Sequence, residues 1–95
     1  MAQMQEVRGV QTSIRTDETG THINYRGTDV VSFSAGSITL RTGGWRSNTT
    51  KLRMNQAANQ YRLGFSVFQK NHEWFVQVGD AEPVPFEGDT LILAR

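Results

Sequence analysis

Apolar residues along the first part of this chain recur at every second position. Val10, Thr12 and Ile14 alternate with Gln11, Ser13 and Arg15, and Thr21, Ile23 and Tyr25 alternate with His22, Asn24 and Arg26. A period of two marks a strand with one covered face. "TDETG" supplies a turn between these runs, and Gly27 punctuates the second. "TDVVSFS" and "SITLRT" flank Ala35-Gly36, a tight hairpin in which the glycine is expected at positive φ.

The period then changes. Met54, Ala57, Ala58 and Tyr61 fall at i, i+3, i+4 and i+7, the stripe of a helix lying on a sheet. Ser47 or Asn48 can cap its start, Gly64 stands where a left-handed C-cap belongs, and Arg62 suits the negative end of the dipole. Leu52 and Leu63 lie opposite the stripe, so both flanks of the helix should be covered, a second subunit being one way to cover them. Beyond Gly64, "FSVFQ" and "EWFVQV" read as strands joined by Lys70-Asn71-His72, "GDAEPVPFEGD" as a loop, and "TLILA" as a buried closing strand.

These elements predict an α+β fold: an antiparallel sheet of about six to seven short strands with one main helix packed on one face. A single domain over residues 1–95 is expected, with residues 1–9 as a loose N-terminal segment. The expected core is Ile14, Ile23, Tyr25, Val31, Phe33, Ile38, Leu40, Met54, Ala58, Tyr61, Phe65, Val67, Trp74, Val76, Leu91 and Leu93.

Composition narrows the class. With 37% hydrophobic and 20% charged residues, the chain should be soluble and globular. There is no cysteine, which excludes a disulfide framework and a thiolate nucleophile and suits a reducing cytoplasm. "MAQMQEVRGV" lacks an apolar core of signal-peptide length, and no apolar run reaches the roughly 18 residues of a membrane span. A cytoplasmic protein without a membrane partner is expected.

Net charge is only +1, yet it is polarised. Residues 30–72 hold Arg41, Arg46, Lys51, Arg53, Arg62 and Lys70 with no acid, a local +6; the rest holds four arginines against nine acids, or −5. Local field rather than total charge draws an anionic partner. Neutralisation of one segment by the other, within the fold or between subunits, is the competing explanation.

The helix start concentrates the question. Helix N-termini carry unpartnered N–H groups and partial positive charge, so acids favour them and cations cost roughly 0.3–1 kcal/mol each. Here "GGWRSNTTKLRMNQAANQ" places Arg46, Lys51 and Arg53 there instead. An anion would account for this: Gly43 and Gly44 allow close approach of the backbone, Thr49 and Thr50 offer hydroxyls, Lys51 a point charge, and Trp45 a stacking surface. On an ideal helix Lys51, Asn55 and Arg62 share one side within about 40°, with Gln56 and Asn59 alongside, a row suited to a nucleobase edge or a sugar. The alternative is a solvated polar face with Trp45 as an apolar plug under the helix entry. The order G-x-x-x-x-G-K-[ST] is absent, so nucleotide hydrolysis finds no support.

Gly43-Gly44-Trp45, Thr49-Thr50-Lys51 and Arg53-Met54-Asn55-Gln56, with Val30-Val31 and Ile38-x-Leu40 upstream, resemble a motif of small uncharacterised tailed-phage proteins over roughly residues 21–76. Ser47 stands where that group often has Thr, which keeps the hydroxyl. The resemblance implies a phage or phage-derived origin and little chemistry.

Other chemistries are thinly represented. His22 and His72 are the only histidines and form no metal motif, so neither metal nor cofactor is expected. Glu82, Glu87 and Asp89 could act as a carboxylate pair or hold Mg²⁺, but such loop acids are commonly only solvated, and no catalytic residue is assigned. "RLGFSVFQK" partly matches an RNA-recognition strand, with Val67 in place of the second aromatic; Phe65 and Val67 then read as core.

Three functions remain. The first is a non-enzymatic accessory protein, homo-oligomeric, that binds a phosphorylated small ligand such as a nucleotide or cyclic nucleotide; in a phage it would sequester a host defence messenger. The second is a nucleic-acid-binding module, against which the pI near 8.2 counts. The third is a structural or protein-interaction module with a basic surface.

Overall fold

A computed structural model describes residues 11–44 and 47–94. The expected loose segment at residues 1–9 lies outside them. The elements run β1 (Thr12–Asp17), β2 (Gly20–Tyr25), β3 (Thr28–Phe33), β4 (Ser37–Arg41), α1 (Asn48–Gln60), β5 (Phe65–Lys70), β6 (Glu73–Val78), β7 (Val84–Pro85) and β8 (Thr90–Ala94). The class is α+β, as the periodicities predict, but the strands form two sheets rather than one. β1-β2-β3-β4-β8 is a five-stranded antiparallel sheet, and β5-β6-β7 a three-stranded one.

Short turns set the registers. Arg26-Gly27 and Asn71-His72 take positive φ at both central positions of two-residue hairpin turns, the geometry whose twist matches that of the flanking strands. The hairpin at Ala35-Gly36 forms as expected and is closed by the Ser34 amide on the Ser37 carbonyl. Gly36, however, is not among the positive-φ residues. Gly20 is required by close approach: a Cβ there would stand 2.2 Å from the Phe33 carbonyl oxygen.

α1 packs against β2 and β3 of the first sheet and β5 of the second. This explains why both of its flanks are apolar. The chain's own second sheet covers one flank of the helix, and Leu63 is buried within the fold. One contiguous core joins Ile23, Val31, Leu40, Met54, Val67, Trp74 and Val76.

Departures from the expected core have local causes. Ile14 is 41% exposed because β1 is the edge of its sheet, beyond the strands that α1 covers. Tyr25, Phe33, Tyr61 and Leu91 pack on the core but are only partly buried. Val30 and Val31 are both buried although they are adjacent. The ladder steps from Ile23↔Val31 to Asn24↔Asp29, leaving Val30 as the extra residue of a β-bulge. Phe86 is 1% exposed inside the segment read as loop. There Val84-Pro85 pairs with Phe75-Val76, and the Phe86 amide donates to the Trp74 carbonyl, so proline sits on an edge strand where its missing donor is tolerated.

Candidate functional site: the start of the helix

Ser47 is the N-cap. Its backbone is extended and its Oγ accepts from the Thr50 amide at 3.1 Å. No acid occupies the first turn, and the amides of Asn48 and Thr49 have no partner among the described residues. Of the three cations that the sequence places at this start, Lys51 and Arg53 are among the described residues.

Its side chains divide. Lys51 is half-buried; its Nζ donates to Gln69 Oε1 at 3.1 Å and stands 5.6 Å from the centroid of the Trp74 ring. Arg53 is buried. Its Nε donates to Thr12 Oγ1 at 2.8 Å, its Nη1 to Gln56 Oε1 at 3.3 Å, and its guanidinium carbon lies 5.5 Å from the Tyr25 ring centroid. Neither cation meets a carboxylate among the described residues.

Several residues of the predicted site are committed elsewhere. Thr50, Arg53 and Gln56 are buried, so they do not line an open surface. The Asn55 amide takes both backbone groups of Val67: its Nδ2 donates to the carbonyl at 2.9 Å and its Oδ1 accepts from the N–H at 2.8 Å. Asn59 is exposed but near the far end of α1. Arg62 lies past the helix, at φ 52° in a C-terminal turn closed by the Leu63 amide on the Ala58 carbonyl. The predicted stripe Lys51-Asn55-Arg62 thus breaks at the C-cap, which falls at Tyr61, and Arg62 rather than Gly64 takes the first left-handed position. Trp45 and Arg46 lie outside the described residues.

The Gly43-Gly44 turn already holds an anion, the chain's own Asp89. The Asp89 carboxylate accepts from the Thr42 hydroxyl and from the Gly44 amide at 2.9 Å. The Thr42 hydroxyl, then the Gly44 amide, hold its pKa below the usual carboxylate range. Gly43, at φ 63°, packs where a Cβ would come within 2.3 Å of Thr28 Oγ1. A shallow depression lined by Thr42, Gly43, Gly44, Gly88 and Asp89 remains beside this turn. Of the groups that the sequence offers to a phosphate, the glycine amides therefore belong to Asp89, Lys51 is held by Gln69, and the amides of Asn48 and Thr49 have no partner among the described residues.

A second cluster escaped the sequence reading. On the outer face of β1–β3, His22 Nδ1 lies 2.8 Å from Ser32 Oγ, and its Nε2 lies 3.2 Å from Asp17 Oδ1 and 3.0 Å from Thr19 Oγ1. Arg15 makes a two-pronged contact with Asp29, at 3.0 and 3.3 Å, and Asn24 donates to the same carboxylate. Asp17 is held well below the usual carboxylate range, chiefly by the Thr19 hydroxyl and then the Thr19 amide, and Asp29 is lowered by Arg15. Register explains the gathering: Arg15, His22 and Ser32 are successive cross-strand partners. The network ties three strands together on the solvent side. Among the described residues no three His, Asp or Glu side chains gather to hold a metal, and no helix is long and apolar enough to cross a membrane.

Neither the curated proteins nor the solved structures include a match to this chain. The model of one phage protein family, described as Kyanoviridae Gp96 protein, matches residues 1–92, and the chain belongs to that family.

Proposed function

We propose that this phage protein is a non-enzymatic accessory factor that binds a phosphorylated small molecule, a nucleotide or cyclic nucleotide, at the start of α1. One observation carries the reading: Lys51 and Arg53 enter the first turns of a helix with no carboxylate to meet them among the described residues. Nine acids are available in the chain, and Asp17, Asp29 and Asp89 are held by other partners. The phosphate would rest on the amides of Asn48 and Thr49, the Thr49 hydroxyl and Lys51 Nζ, where the helix field favours negative charge. Gln69 and the Trp74 ring hold Lys51 in place. Arg53 adds its charge from beneath and does not touch the ligand. Sequestration of a host defence messenger, in a symmetric assembly, is the role such a binder would serve.

Isothermal titration against a panel of mono-, di- and cyclic nucleotides is the test. Heat is expected with at least one member, and Lys51→Gln should weaken that binding about tenfold, the loss of one charge-assisted contact of roughly 1.5 kcal/mol. No heat with any nucleotide, at concentrations that reveal micromolar binding, removes the reading.

A further inference from the structure

β8 has the sequence of an interior strand and the position of an edge strand. Thr90–Ala94 is an apolar run without charge, proline or glycine, the composition of strands covered on both faces. In the fold β8 pairs with β4 alone and ends the five-stranded sheet, beyond the strands that α1 covers. Its outer edge is open among the described residues. Leu93 is buried, but Leu91 on the same face is only half-buried, and Ile92 on the other face is 67% exposed.

Open strand edges pair with other strands unless they are blocked. The other three edges of the two sheets are blocked. Arg15 and Asp17 put charge on β1, the Asn55 amide takes the Val67 backbone on β5, and β7 is two residues long and contains Pro85. β8 carries no such device, and its register with β4 runs without a bulge from Thr90 to Ala94.

We infer that β8 is the surface on which a second copy of this chain adds its own β8, antiparallel about a two-fold axis at Ile92. Self-complementarity selects this occupant. A two-fold axis normal to the sheet makes identical strands antiparallel. With Ile92 opposite the partner's Ile92, Leu91 faces the partner's Leu93 and Thr90 faces the partner's Ala94. All five positions are then paired, and no like charges meet. The core row Leu40↔Leu91 continues into the partner's Leu93, which covers Leu91, while the two Ile92 side chains cover each other on the outer face. A slip of one residue would set core-facing against outward-facing side chains. One strand pair buries less than the roughly 1,200 Å² at the lower end of standard interfaces, so a weak, concentration-dependent dimer is expected. This contact needs no ligand and gives the symmetric assembly proposed above its surface.

Sedimentation equilibrium of the ligand-free full chain, from about 10 µM to about 1 mM, is the test, with amide hydrogen exchange at both ends of that range. A monomer–dimer equilibrium is expected, and the β8 amides not bonded to β4 should exchange at least about fivefold more slowly in the concentrated sample. Ile92→Lys sets two ammonium groups face to face at an exposed position and should give a monomer with unchanged circular dichroism. Ile92→Thr, which keeps a strand-forming residue, should weaken the dimer at least about fivefold, since both copies lose apolar contact. A chain still monomeric at the highest concentration overturns the inference. So does a dimer that both Ile92 variants leave intact, or one broken instead by Phe75→Lys on the other sheet. With no ligand present, none of these outcomes bears on nucleotide binding at α1, which its own titration decides.

Discussion

Asn55 sits on the flank of α1, half-buried, with a side chain that imitates a strand. Val67 belongs to β5, the edge of the three-stranded sheet, and its backbone N–H and C=O both end on the Asn55 amide. Buried backbone groups left unpaired cost about 1–3 kcal/mol each. Asn55→Leu should therefore lower stability by about 2–4 kcal/mol in urea denaturation, and a loss below about 0.5 kcal/mol would show that water replaces the amide without penalty. Arg62 presents the opposite case. Its φ of 52° is a conformation that non-glycine residues adopt at a cost of about 1–2 kcal/mol, and its side chain is exposed. Arg62→Gly should raise stability by about 1 kcal/mol after the entropy of the unfolded glycine is counted, read from the same denaturation curves. Sequence could not separate these two roles. Both residues are polar, they lie seven apart, and an ideal helix puts them on one side; only the C-cap at Tyr61 and the position of β5 distinguish them.

At the scale of elements, periodicity located most strands and the helix, because each has one covered face and the pattern of apolar residues reports that face. It could not say that the strands divide into two sheets, since that depends on long-range pairing. β8 closes the first sheet on β4 after a chain excursion through α1 and the whole second sheet. The bulge at Val30 and the two-residue β7 were hidden for a similar reason: one breaks the alternation, the other lies among prolines and glycines. The loop carrying Asp89 is joined to the β4 end by the Thr42 amide on the Asp89 carbonyl and by the carboxylate on Thr42 and Gly44. Asp17, Asp29 and Asp89 all have folded pKa values below the roughly 3.9 of a free aspartate. Groups depressed in this way stabilise the fold above their unfolded pKa, and that contribution fades as pH falls through the folded values. The urea midpoint should be flat above about pH 5 and decline below about pH 4. Asp89→Asn should reduce the slope of that decline; an unaltered slope would mean that the carboxylate contributes no pH-linked stability.

For the whole molecule, the division of charge seen in the sequence persists in the fold. Asp17 and Asp29 lie on the outer face of β1–β3 and Asp89 at the Gly43-Gly44 turn, all hydrogen-bonded, while Lys51 and Arg53 meet no carboxylate among the described residues. The candidate site was legible in the sequence as a cationic helix entry. Its depth was not, because helical position alone does not reveal that Arg53 and Gln56 face inward between two sheets. If a phosphate occupies the entry, affinity should fall with added salt, since the contacts are electrostatic and partly exposed. The most direct measurement is an amide NMR titration of isotope-labelled protein with pyrophosphate and with the nucleotide giving the largest heat. The account predicts that the largest shifts fall on the Asn48 and Thr49 N–H signals, and that Lys51→Gln raises the anion concentration needed to saturate them about tenfold. Shifts centred on any other segment, or none at millimolar anion, would contradict it.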